Sequence, residues 1–90
     1  MLKIRYENRM LKDLKLIRKR GYDIQQFEDV VRLLSTQQPL PAYYHDHALI
    51  GNYKGYRECH IQPDWLLIYK IVDEDLLLIL TRTGTHSDLF

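Results

Sequence analysis

A single cysteine, Cys59, is the only thiol in this chain. It can form no internal disulfide and no CxxC-type zinc pattern exists, so a reducing cytoplasm is the expected compartment. Long apolar runs are also missing. The longest, Trp65 to Tyr69 and Leu76 to Leu80, are too short to span a bilayer. No apolar stretch follows Lys3 and Arg5, so no signal peptide is expected. There is no glycine-rich nucleotide loop, since Gly84 is a lone glycine between threonines. No serine or cysteine has a convincing partner for nucleophilic catalysis, and Cys59 reads as a small core residue. What remains is one soluble domain over residues 1–90, 46% hydrophobic and 28% charged, with room for a single two-layer core.

Net charge is also small, at +1, but its distribution is uneven. Residues 1–21 hold eight of the 13 basic residues against only Glu7 and Asp13, which makes that segment +6 and the remainder −5. A basic segment attracts phosphate without sequence preference. A solvated helix face is the alternative reading of the same charges.

Residues 2–6 alternate apolar and charged, as in a short half-buried strand. Residues 8–20 read as a helix, with Asn8 as N-cap, Met10, Leu11, Leu14 and Ile17 at helical spacing, and Gly21 as terminator. A second helix is expected over about 23–36, capped by Asp23 and striped by Ile24, Phe27, Val30, Val31 and Leu34. The short gap between them implies an antiparallel helical hairpin. Pro39 and Pro41 exclude helix beyond it. The rest reads as strand: a short one before a turn at Tyr53-Lys54-Gly55, then 56–62, a central strand over 65–72, a polar turn at 73–75, and 76–83. The last six residues are expected to form a tail. The fold class is α+β, with the hairpin on one face of a curved, mainly antiparallel sheet of four to five strands. In 56–62, Arg57, Cys59 and Ile61 share one face, while Tyr56, Glu58 and His60 share the other.

All four histidines lie in the second half, and imidazole is the side chain best suited to moving protons near neutral pH. His60 lies four residues before Asp64, whose carboxylate can orient it or accept a proton. Arg82 precedes a Thr83-Gly84-Thr85 turn and His86, a reasonable phosphate cradle. His45-Asp46-His47 invites a metal reading. Ligands at i and i+2 on a loop need a third donor, however, and only His60, Asp64 or His86 offers one, so a proton-transfer loop is the preferred reading. Aromatic residues interleave with these polar groups. Tyr43, Tyr44, Tyr53, Tyr56 and Phe90 can stack on unpaired bases, whereas Trp65 and Tyr69 are expected to be mostly core.

The ordered set His47-x-Leu49-x-Gly51-x-x-Lys54-Gly55-Tyr56-Arg57-x-x-His60, Pro63-Asp64-Trp65-x-Leu67-Ile68-Tyr69-Lys70 and Arg82-Thr83-Gly84-Thr85-His86-x-x-Leu89-Phe90 resembles the YafQ-type branch of the RelE/ParE superfamily, bacterial type II toxin–antitoxin toxins. The resemblance covers nearly the whole chain. It implies a RelE-like fold and a cytoplasmic, ribosome-dependent mRNA endonuclease that needs no metal or other cofactor. It also implies a toxin that is monomeric alone and forms a hetero-oligomer with a cognate antitoxin. Its catalytic set corresponds to His47, His60, Asp64, Arg82 and His86. Phe90 is the terminal aromatic on the substrate, joined as candidate substrate contacts by Lys54, Arg57, Trp65 and Thr83. His45 lies outside the pattern.

The implied chemistry is attack of the RNA 2′-hydroxyl on the adjacent phosphorus, which calls for a base, an acid and positive charge. His86 is the expected acid, Asp64 or His60 the base, His47 an assistant, and Arg82 the stabiliser of charge. The basic N-terminal helices are expected to touch ribosomal RNA. A non-catalytic inhibitor of DNA gyrase, as in the ParE-like branch, is the alternative on the same fold.

Overall fold

The computed structural model describes residues 1–90. Five strands form one mixed sheet: β1 (Lys3–Tyr6), β2 (His47–Ala48), β3 (Arg57–Gln62), β4 (Trp65–Val72) and β5 (Leu77–Gly84). Their spatial order is β1-β5-β4-β3-β2, so β4 is the centre. β1 runs parallel to β5 and all other pairs are antiparallel. Helices α1 (Asn8–Lys19) and α2 (Ile24–Ser35) follow β1, and a third, α3 (His86–Leu89), closes the chain. No helix is long and apolar enough to cross a membrane.

The helical periodicities place Met10 and Ile17 of α1 and Phe27, Val30, Val31 and Leu34 of α2 in one core with Cys59, Ile61, Trp65, Leu67, Tyr69, Leu78 and Leu80. The opposite sheet face carries a smaller cluster, Leu66, Ile68 and Leu89, flanked by Leu49, Tyr53 and Tyr56. The helices therefore cover one face, and the other is left to loops and the short α3.

Asp23 accepts a hydrogen bond from the Gln25 backbone N–H at 3.0 Å, as an N-cap should. Asn8 does not cap α1: the cap is Glu7, with no side-chain hydrogen bond, and Asn8 is the first helical residue. Gly21, at φ 83°, turns the chain between the helices.

The final six residues are not a loose tail. Thr85 accepts from the Asp88 N–H, and Asp88 accepts from the Thr85 N–H, a reciprocal cap that starts α3. Arg20 clamps Asp88 bidentately at 2.6 and 3.0 Å, and Leu89 is buried. A Cβ at Gly84 would meet the Asp88 carboxylate at 2.8 Å, so only glycine admits this cap.

β1 pairs with β5 only as far as Leu80, and a bulge at Thr81 follows. Beyond that point Asp13 of α1 takes over the free edge. Its carboxylate accepts from the Thr83 backbone N–H at 3.1 Å and from Arg82 Nε and Nη2 at 2.7 and 3.2 Å. The bulge turns Thr83 to the helix face, where its hydroxyl accepts from Trp65 Nε1 at 2.9 Å and donates to the Leu66 carbonyl at 2.6 Å.

Two consequences can be measured. Asp13→Ala leaves Arg82 and the Thr83 N–H without a buried partner, and a loss of about 3 kcal/mol is expected in urea unfolding; a loss under about 1 kcal/mol would show that water replaces the carboxylate. Asp88 is held below the usual carboxylate range, first by Arg20 and then by the Thr85 N–H. Its stabilisation is complete above the unfolded value of about 3.9 and disappears as pH falls through the lower folded value. In an acid titration followed by NMR, the α3 and Phe90 signals should therefore remain native through pH ~4 and depart only below it.

Candidate active site

The alternation of β3 that buries Cys59 and Ile61 against the helices turns Glu58 and His60 to the open face. Pairing of β2 with β3 sets His47 opposite Glu58. The turn after β3 projects Asp64, and the cap of α3 brings in His86. Three imidazoles converge around that of His60. Ring centroids lie 5.6 Å away for His45, 6.2 Å for His47 and 5.8 Å for His86. A cleft of about 590 Å³ opens on this cluster, lined by Tyr43, His45, His47, His60, Gln62 and Pro63 among others.

Two imidazole–carboxylate arrangements occupy the cluster. In the first, Asp64 Oδ1 lies 2.6 Å from His86 Nδ1 and accepts the His86 backbone N–H at 2.9 Å. That backbone hydrogen bond, then the ring, depresses the Asp64 pKa below its ordinary value. An ionised Asp64 makes Nδ1 the protonated ring nitrogen and leaves Nε2 for substrate. In the second, buried Glu58 lies 3.4 Å from His60 Nε2 and 3.6 Å from His47 Nε2. The Nδ1 atoms of these two rings face carbonyl oxygens, those of Pro63 at 3.3 Å and His45 at 2.8 Å. In the neutral rings each Nδ1–H then donates to its carbonyl, and both Nε2 lone pairs face the carboxylate. A proton on either Nε2 turns that contact into an ion pair. The carboxylate and the two ring nitrogens all lie within 4.8 Å of one another.

His47, His60, Asp64 and His86 are thus brought together. Arg82 is beside them but engaged: its guanidinium is held charged first by Asp13 and also by Tyr53, and its side chain is only 13% exposed. Phe90 is exposed and meets Tyr53 edge-on at 5.9 Å, and Tyr53 meets Tyr56 at 6.1 Å. Lys70 Nζ lies 5.4 Å from the Tyr56 ring centre. Lys54 is exposed in the turn before β3.

Three proposed substrate contacts need correction. Trp65 and Thr83 are 0% and 1% exposed and bonded to each other on the helix side, so neither has surface to offer RNA. Arg57 shares the helix-side face with Cys59 and is paired with Asp46 at 3.2 Å, away from the histidines. Sequence reasoning had also left Glu58 and His45 without roles. Glu58 was already on the His60 face by alternation, and that is the signal that could have found it. His45 depends on a left-handed turn, φ 49°, at a non-glycine residue, which no local pattern announces.

Residues 2–90 match the family model described as a bacterial toxin of type II toxin–antitoxin system, YafQ. The mRNA interferase toxin YafQ of Escherichia coli K12 is 48% identical over 88 residues, covering 97% of this chain and 94% of that protein. A metal-bound toxin from Helicobacter pylori superposes with TM-score 0.94 at 46% identity over the whole of both chains. YafQ in the E. coli DinJ–YafQ complex does so with TM-score 0.90 at 45% identity, over 100% of this chain and 99% of that one. With this site on this sheet, and this likeness along its length, the chain belongs to the YafQ family of type II toxin–antitoxin toxins.

Proposed function

We propose that this toxin cuts mRNA on the ribosome by proton transfer between the imidazole–carboxylate pairs, without a catalytic metal. As an mRNA interferase of its family it is an endoribonuclease. The observation that carries the mechanism is the pairing of His86 with Asp64 beside His60 backed by Glu58, ring centres 5.8 Å apart. His60 takes the proton of the 2′-hydroxyl as that oxygen attacks phosphorus. His86, entering as the imidazolium with its Nδ1–H on Asp64, delivers its Nε2 proton to the departing 5′-oxygen. Asp64, engaged with the ring and backbone of His86, acts as its orienting partner, which leaves the base to His60. His47 shares Glu58 with His60 and assists there. Arg82, neutralised on one edge by Asp13, offers its remaining N–H groups to phosphate. Tyr53, Tyr56 and Phe90 form an aromatic shelf for an unstacked base, with Lys70 and Lys54 contributing charge.

A cognate antitoxin silences the toxin, as the DinJ–YafQ assembly of the E. coli relative suggests. The cytoplasm, where ribosomes are, is the site of action. The basic segment 1–21 is the contact for ribosomal RNA. A ParE-like gyrase inhibitor would have no use for three imidazoles gathered on two carboxylates.

A second reading is favoured by one observation: His47, Glu58 and His60 present two nitrogens and an oxygen at metal-ligand spacing, and the H. pylori relative was solved metal-bound. This donor set suits a borderline divalent cation such as zinc or copper. Such a cation would occupy the nitrogens that proton transfer needs, so its expected effect is inhibition.

His86→Ala is expected to lower cleavage of ribosome-bound mRNA on the order of 10²–10⁴-fold with antitoxin binding unchanged, and wild-type rates in that variant would remove His86 from the mechanism. Asp64→Asn should lose less, since the acid remains and only its orientation is relaxed. Cleavage should survive strong chelation and fall when zinc or copper is added, with the His47 and His60 ring signals shifting in parallel; activity lost to chelator and restored by the metal would reverse this assignment.

A further inference from the structure

We propose that Asp46 is a positioning residue for the active site: clamped from the helix side by Tyr69 and Arg57, it holds the loop that presents His45 and His47 to the opposite, catalytic face. The inference rests on the nuclease reading for its catalytic consequence, though not for its structural content.

The loop needs an anchor. Between α2 and β3 the only strand is β2, two residues at the sheet edge. The β2–β3 ladder begins only at His47, opposite Glu58, and ahead of it the backbone hydrogen bonds are local, as in His45 N–H to the Ala42 carbonyl. His45 itself sits in the left-handed region at φ 49°, a conformation a side-chain-bearing residue keeps only when its surroundings impose it.

Asp46 supplies the constraint. Its side chain reaches the helix-side residues Tyr69 and Arg57, whereas His45 and His47 lie against His60. Its carboxylate accepts from the Tyr69 hydroxyl at 2.6 Å, from Arg57 Nη2 at 3.2 Å and from Arg57 Nε at 3.3 Å. Tyr69 is 1% exposed in the main core, on the central strand. The clamp therefore ties the loop to the central strand of the sheet. Burial, then Asp46, pushes the Tyr69 hydroxyl well above the usual tyrosine value, so it remains a donor throughout the working range.

The test compares wild type, Asp46→Ala, Tyr69→Phe and Asp46→Asn by backbone relaxation and histidine ring NMR, and by kcat and KM on ribosome-bound mRNA. In Asp46→Ala and Tyr69→Phe, residues 45–48 should lose order and the His47 ring signal should move to a free-histidine position, while the His60 and His86 rings stay in place. The cleavage kcat should drop on the order of tenfold to a hundredfold, with KM little changed, as for a displaced catalytic group. Asp46→Asn retains an acceptor for Tyr69 and should restore part of both losses. Should Tyr69→Phe fail to fold, the Asp46 variants carry the test alone. A loop as ordered as wild type in Asp46→Ala would overturn the clamp. So would a freed loop with unchanged kcat, or equal displacement of all the histidine rings. Absence of cleavage by wild type would remove the nuclease reading alone, and loop order would still decide whether the clamp exists.

Discussion

The helical hairpin covers one face of the sheet and nothing comparable covers the other, and the site follows from that asymmetry. β3 must satisfy both faces at a two-residue period. Cys59 and Ile61 are drawn into the helix-side core, and this obliges Glu58 and His60 to face outward. A carboxylate with Glu58's burial is costly in isolation. Here its neighbours are two imidazoles, and a proton on either nitrogen that faces it would complete an ion pair.

The two carboxylates of the site work in different environments. Glu58 is buried and shared between His47 and His60, whereas Asp64 is exposed and committed to one ring and one backbone N–H. The first arrangement tolerates movement of a proton among several nitrogens. The second fixes one ring in one orientation. The proposed assignment of base and acid rests on this division. It gives Asp64 the part of a partner to His86, since a carboxylate engaged by a ring and a backbone N–H, with its pKa lowered, is a weak proton acceptor near neutral pH.

What could be read from the sequence was whatever obeys a local period. Helix stripes, the Asp23 cap, the face assignment of 56–62 and the central position of 65–72 all rest on repeats of 3.6 or 2. The convergence of His47, His60, Asp64 and His86 was legible only through the family pattern, because nothing local measures distance between loops. The failures were long-range. In the sequence Asp13 enters only the charge balance of residues 1–21, and its task of finishing the β5 edge appears only when α1 lies against that strand. Residues 85–90 looked like a tail because a four-residue helix stands only with help from Arg20, sixty-eight positions away. Trp65 and Thr83 belonged to the ordered motif yet proved to be a buried pair. Arg57, also in that motif, is engaged by Asp46.

Charge is distributed by the same logic. Three arginines are already partnered, Arg82 by Asp13, Arg57 by Asp46 and Arg20 by Asp88. Beside the aromatic residues only Lys70, against the Tyr56 ring, and exposed Lys54 add positive charge. The segment 1–21, at +6, has more, and much of it projects from the exposed side of α1. Under the proposed function, attraction to RNA and the chemistry on RNA would fall to different groups of residues. Free RNA held by the basic segment would not thereby be led to the histidines. A ribosome would supply what is lacking, a fixed RNA surface for the basic helix and an mRNA segment presented to the histidines. The proposed dependence on the ribosome would then follow from where the unpaired charges lie.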